Sequence, residues 1–243
     1  MLNEGQYRDQ ITHDGYAIVE NVISTDAIER LRAAISALPE GDEVRRRTNV
    51  YGVRNLLDVS TDVRKLAASP ELRALVEPLL GPESFAVRAT FFDKVPDANW
   101  KLRYHQDRVI AVKKRVDTSG YTAWAIKAGV QQVRPPEGVL LRMLALRVHL
   151  DDCNANNGPL RLLAGSHHQC WSRDEIPECK THYREVTCEV ATGGVLAMRP
   201  LVLHASTSSE VPEHRRVIHI EYANADLPGE LEWQHRIVAQ RVP

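Results

Sequence analysis

The chain has 243 residues, with 31 Lys and Arg against 32 Asp and Glu, a formal charge of -1. Apolar residues make up 43% and charged residues 26%; this globular mixture excludes a disordered or fibrous chain, and the balanced charge leaves no footprint for nucleic acid or an anionic membrane. The expectation is one domain over 1–243, cytoplasmic and without a leader or bilayer-length apolar run, whose four cysteines (Cys153, Cys170, Cys179, Cys188) lack a CxxC pair and read as reduced packing residues.

Residues 15–23 alternate as a strand. Ser24 to Asp26 then offer a helix N-cap, and Ile28, Leu31, Ile35 and Leu38 follow at helical spacing until Pro39. Residues 40–49, with Arg45, Arg46 and Arg47 in a row, read as a solvated turn. Residues 61–80 predict two short helices; Ser69 caps the second, Pro70 sits in its first turn, and Gly81-Pro82 ends it. The segment 1–82 is therefore expected to be helix-rich.

The texture then changes. Residues 85–95, 143–150, 186–190, 195–198, 201–204 and 217–222 are short β-type runs between Gly, Pro and Asn turns. Within 143–150, Leu144, Leu146, Val148 and Leu150 share one face, while Met143, Ala145, Arg147 and His149 share the other. Helices followed by strands, without a βαβ rhythm, predict an α+β, mainly β domain built as a sandwich or small barrel. The strand-rich core is expected over 83–223, with a C-terminal extension at 224–243.

Three stretches carry chemistry. His105-Gln106-Asp107 puts an imidazole and a carboxylate at i and i+2, on one face of a strand and near enough to share an ion. Two imidazoles and one carboxylate on one face of a metal are the donor set of non-haem Fe(II) oxygenases, so a second histidine is needed. His204 ends a predicted strand; Ser206 lies two residues on, and Arg215 arrives 11 residues after His204. A guanidinium there can clamp the far end of a dicarboxylate through two parallel hydrogen bonds, with the Ser206 hydroxyl adding a third.

These residues, together with Leu150-Asp151-Asp152, Asn157-Gly158-Pro159-Leu160 and Gly165-Ser166-His167 between them, resemble the phytanoyl-CoA dioxygenase family from about residue 15 to 222. The resemblance implies a double-stranded β-helix, a cupin-like jelly roll buttressed by the N-terminal helices, and an enzyme using Fe(II), 2-oxoglutarate and O2. It implies His105, Asp107 and His204 as the catalytic metal ligands and Arg215, helped by Ser206, as the cosubstrate clamp. Arg216 is the rival to Arg215; neighbours on a strand point oppositely, and the motif spacing favours Arg215. Arg147 stands where relatives often carry a Trp bordering the cosubstrate, Ala164 stands where they carry Pro, and Thr90 and Arg54 fall near cosubstrate contacts. An aspartate at position 107 argues against a halogenase.

The implied reaction is hydroxylation of a small molecule with release of succinate and CO2. The alternatives are desaturation, cyclisation or demethylation by the same cofactor chemistry, or a jelly-roll metal- or ligand-binding protein without turnover. A carboxylate, phosphate or thioester is the expected substrate class; nucleic acid and membrane are not expected partners, and the sequence leaves the oligomeric state open. Asp107 and the next strong strand are separated by about 35 residues, long enough for a functional loop. Eight basic residues fall between 101 and 134, against Asp107 and Asp117, which suggests a positive lid over an anionic substrate. Trp100, Tyr104, Tyr121 and Trp124 either wall the pocket or anchor that loop. His149 either approaches the pocket or is a hydrogen-bonded structural residue. His167 and His168 read as loop residues and His219 as structural, while His13, His182, His214 and His235 have no ligand-like context.

Overall fold

The computed structural model describes residues 3–239. The chain opens with α1 (Glu4–Asp14), β1 (Tyr16–Val19), α2 (Thr25–Ser36), β2 (Val44–Arg46), β3 (Val50–Val53), α3 (Leu56–Val59), α4 (Thr61–Ala67) and α5 (Pro70–Leu80). Helix α2 starts where the Ser24 side chain accepts the Ala27 N–H, and α5 where Ser69 caps Leu72 with Pro70 in the first turn, as the cap residues predict. Helix α1 lacked a sequence signal because it buries little beyond Tyr7 and Ile11; an Asn3–Gln6 capping box defines its start. Residues 40–49 hold β2 rather than a turn. Arg45 and Arg46 lie on this short, exposed edge strand, where charge discourages further strand addition.

There follow β4 (Phe85–Phe92), β5 (Leu102–His105), β6 (Ile110–Val112), β7 (Thr122–Lys127), β8 (Val130–Arg134), α6 (Glu137–Leu140), β9 (Leu144–His149), β10 (Leu160–Leu163), α7 (Ile176–His182), β11 (Glu185–Cys188), β12 (Val195–Met198), β13 (His204–Ser206) and β14 (Val217–Ala223). A seven-stranded antiparallel sheet runs β1-β12-β9-β14-β4-β3-β2 and faces a four-stranded one, β11-β10-β13-β5. The N-terminal strands β1 and β2 thus form both edges of the large sheet.

Alternation decides what each face of the large sheet does. Leu144, Leu146 and Val148 of β9 and Ile218, Ile220 and Tyr222 of β14 join Ile28, Leu31 and Ile35 of α2 and Leu72 and Val76 of α5 in one core. Each such side chain contributes roughly 2 kcal/mol by leaving water, and together they fix the helices to the outer face. The inner face then receives the intervening residues: Arg147 from β9, His219 and Glu221 from β14, and Arg88, Thr90 and Phe92 from β4. A bulge opposite Glu221 and Tyr222 shifts the β4 register, so Ala86 and Ala89 both join the outer core although two residues separate them.

The connection after Asp107 is not a loop. It folds as a three-stranded antiparallel sheet, β6-β8-β7, whose own core holds Ile110, Val112, Tyr121 and Val133 with Trp124 against it. Three of its cations are also paired elsewhere: Lys113 with Glu232, Lys114 with Glu230 and Arg115 with Asp117. Of the eight basic residues in the expected positive lid, Lys127 is the one that lines the inner chamber.

All four cysteines are free, three of them buried, and burial pushes the Cys188 thiol up to about 12. Among the described residues no helix is long and apolar enough to cross a membrane.

Candidate metal centre

Strands β5 and β13 are paired so that His105 lies directly opposite His204. Their ring centroids are 4.3 Å apart. Asp107 sits two residues beyond the end of β5, held there by its N–H donating to the Pro200 carbonyl at 2.9 Å. One ligand atom from each of His105, Asp107 and His204 lies within 4.8 Å of the others, and His204 Nε2 is 3.8 Å from Asp107 Oδ2.

The tautomers suit a metal. His105 Nδ1 lies 2.8 Å from the Arg103 carbonyl and His204 Nδ1 2.9 Å from the Val202 carbonyl, so each Nδ1–H donates and each Nε2 keeps its lone pair. Carbonyl partners of this kind orient metal-bound imidazoles. Burial pushes the His204 pKa down to about 4, with Asp107 opposing, which keeps the ring neutral at pH 7. Burial would raise Asp107, but the imidazoles of His204, His219 and His105 and the Arg88 guanidinium outweigh it and bring the carboxyl to about 2. Two neutral imidazoles and one carboxylate, without a thiolate, fit a metal that retains open coordination positions.

These groups open into a chamber of about 230 Å³ between the two sheets. Its wall is a cross-strand row: Thr90 pairs with His219, and His219 with Arg147. Arg147 donates to His219 Nδ1 at 3.2 Å, leaving the His219 Nε2–H to reach Glu221 at 3.3 Å and to approach Asp107 at 4.0 Å. Glu221 also pairs with Arg88. At the other end Arg215, 3% exposed, donates to the Gly158 carbonyl. Lys94 Nζ reaches the same carbonyl and the Ser206 hydroxyl, each at 3.3 Å. Burial and the nearby Arg215 push Lys94 down to about 7.

Three chamber arginines, Arg88, Arg147 and Arg215, have a buried Nε without a partner among the described residues; Arg88 pairs with Glu221, whereas no described carboxylate lies within ion-pair distance of Arg147 or Arg215. Unmatched buried cations are costly unless an anion fills the space between them. Arg216, by contrast, turns away and is fixed to Asp151 through Nε at 2.8 Å and Nη2 at 2.6 Å. Of the two neighbours, Arg215 is thus the one in the chamber, although both precede β14 rather than lying on it.

The remaining motif residues have visible work. Ser166 accepts from the Leu203 N–H at 2.9 Å and donates to the Leu163 carbonyl at 2.7 Å, bracing the residue before His204. Gln106 donates to the Leu201 and Gln169 carbonyls. The Asp93 carboxylate accepts from the Arg215 N–H at 2.9 Å and from His214 at 2.7 Å.

Arg147, Thr90, Ser206, Arg215 and Arg54 all line the chamber. Trp100 does too, whereas Tyr104 lies on an outer groove and bonds to Glu185. His149 is buried outside the chamber wall, and neither ring nitrogen has a partner among the described residues. His219 corrects the sequence reading: it is a chamber residue beside Asp107. Arg88 and Glu221, which also line the chamber, were missed with it. Their signal was polar residues at alternate positions of otherwise apolar strands, Arg88-x-Thr90 and His219-x-Glu221.

The profile of the phytanoyl-CoA dioxygenase (PhyH) family matches residues 11–217. Ectoine dioxygenase of Bordetella bronchiseptica is 24% identical over 203 residues, covering 76% of this chain and 58% of that protein; the chain thus spans less than two thirds of this curated relative. Among solved structures, AviO1 from Streptomyces viridochromogenes Tue57 superposes with a TM-score of 0.68 at 23% identity, over 94% of this chain and 98% of that one. EctD from S. alaskensis with bound Fe gives 0.74 at 18% identity, over 100% and 88%. At such identities the structural likeness establishes the jelly-roll fold. The profile match over most of the sequence goes further: the chain belongs to the phytanoyl-CoA dioxygenase (PhyH) family.

Proposed function

We propose that the protein is an Fe(II)- and 2-oxoglutarate-dependent dioxygenase that hydroxylates a small organic metabolite. In the balanced reaction, substrate, O2 and 2-oxoglutarate give hydroxylated substrate, succinate and CO2. The observation that carries this reading is the conjunction in one chamber of three ligand atoms within 4.8 Å and two buried arginines, Arg147 and Arg215, that no described carboxylate pairs.

In this reading His105, Asp107 and His204 hold the Fe(II). When bound, the iron supplies O2 activation coupled to oxidative decarboxylation of 2-oxoglutarate. The protein contributes geometry and charge. The Arg103 and Val202 carbonyls fix the two imidazole planes, and the low pKa of Asp107 keeps its carboxylate ionised. Arg215 takes the distal carboxylate of 2-oxoglutarate, with the Ser206 hydroxyl beside it, and Arg147 offers a second cation from the neighbouring strand β9. Thr90 and His219 complete that wall. The two packed sheets keep bulk water from the reacting atoms.

The test is succinate release and iron content in wild type, His204→Ala and Asp107→Ala. Wild type is expected to hold one Fe(II) per chain and form succinate. Each variant should lose both, and turnover persisting in both variants would overturn the ligand assignment.

A further inference from the structure

The chamber contains a second cationic feature, at the end away from Arg215. Arg54 lines it immediately after β3, half-buried, and among the described residues no carboxylate lies within ion-pair distance of its guanidinium. The charges that act on it are Arg45 and Arg88, both positive, and they add to burial in lowering its pKa. Arg215 bonds instead to the Gly158 carbonyl and, through its backbone N–H, to the Asp93 carboxylate, so the two arginines have different neighbours. Lys127 and the 8%-exposed Gln132 line the same chamber from the β7–β8 hairpin. Neither the Lys127 ammonium nor the Gln132 side-chain amide bonds to another described group. The one carboxylate on this side other than Asp107 is Glu221, and Arg88 and His219 already hold it.

The local backbone is also unusual. Asn55, next to Arg54, has φ 53°, a left-handed conformation that asparagine tolerates better than most residues and that tends to persist where surroundings enforce it. Its side-chain N–H donates to the Ala128 carbonyl at 2.8 Å. The hairpin tip carrying Lys127 is therefore tied to the residue following Arg54.

We infer that Arg54, flanked by Lys127 and Gln132, is the anchor for the substrate's anionic group, so that the substrate is a small carboxylate or phosphate held by its charged end with its carbon skeleton toward His105 and Asp107. A guanidinium fork matches either anion bidentately, and the Gln132 amide adds a neutral donor. The inference rests on the dioxygenase reading for the word substrate, but the anion preference is measurable without turnover.

The experiment uses the full chain loaded anaerobically with Fe(II) and saturating 2-oxoglutarate, which occupies the Arg215 end. Butyrate, inorganic phosphate and neutral butyramide are titrated by calorimetry into wild type, Arg54→Gln, Arg54→Lys and Lys127→Gln. At least one of the two anions should bind wild type about tenfold more tightly than butyramide. Arg54→Gln should lose about tenfold for that anion and nothing for the amide, as expected for a lost charge-assisted bond. Arg54→Lys should fall between, and the exposed Lys127→Gln should lose about threefold, giving a readout even if Arg54→Gln misfolds. Equal affinity for anions and amide, or wild-type anion affinity in both Arg54 variants, overturns the anchor. Succinate release by wild type from 2-oxoglutarate alone is measured in parallel. Release without anion preference removes the anchor and leaves the dioxygenase; preference without release does the reverse.

Discussion

At the scale of single residues, the chamber depends on groups whose alternatives fail for identifiable reasons. Arg215 is buried and lends one nitrogen to a carbonyl while another has no partner. Arg215→Ala is expected to raise the KM for 2-oxoglutarate on the order of a hundredfold, because truncating one side of a buried ionic contact costs about 3 kcal/mol. Arg215→Lys should recover only part of this, since an ammonium cannot present two parallel donors. Gly158 is equally constrained. Its φ is 59°, and a Cβ would meet Lys94 Nζ and the Thr207 carbonyl oxygen, each at 2.8 Å. Gly158→Ala should therefore destabilise the protein by about 1–3 kcal/mol in a denaturant melt and raise the same KM, because the displaced carbonyl is the one that Arg215 uses.

At the scale of elements, Ser166 joins the turn after β10 to the start of β13. Ser166→Ala leaves the Leu203 N–H without its acceptor and should cost about 2 kcal/mol in urea unfolding, with weaker Fe(II) retention because His204 follows directly. Elements of this kind were legible where burial imposes a period. The 143–150 run showed which side chains of β9 face the helices because one face is fully apolar, and Ser24 and Ser69 marked two helix starts through their own chemistry. Legibility failed where burial is one-sided or slight. Strand β7 is exposed along most of its length, so no apolar alternation betrays the three-stranded sheet, and the segment passed for a loop. Helix α1 and strand β2 escaped for the same reason. His105, Asp107 and His204, which the fold brings within 4.8 Å of one another, were read together from motif order. His219 was passed over because motif spacing says nothing about which residue lies beside a ligand across two sheets; cross-strand register does.

At the scale of the whole molecule, one charged junction links the helical layer to the chamber. Asp151, after β9, receives Arg216 from the approach to β14 and Arg32 from α2 at 2.8 Å. Burial would raise this carboxyl, but the hydrogen bonds and charge of Arg216, aided by Arg32, bring it below its ordinary value. A carboxyl whose pKa is lower folded than unfolded stabilises the fold above the unfolded value of about 3.9. That contribution disappears as pH falls through the folded value. Asp151→Asn should thus cost about 3 kcal/mol at pH 7, and the gap between variant and wild type should narrow in melts taken progressively below about pH 4. With every thiol free, reducing agents should leave the melting temperature unchanged.

The position of β5 has a consequence for how the molecule matures. It is the outermost strand of the four-stranded sheet, joined to β13 alone and through two residue pairs with a slip between them. Under the ligand assignment proposed above, an ion held by His105 and His204 would clasp this thin seam, and it could be held only once the seam has zipped in the right frame. Metal uptake would then double as a proofreading step. Amide exchange at residues 102–105 should slow sharply when redox-inert Zn(II) is added, while exchange in β9 and β14 stays as it was.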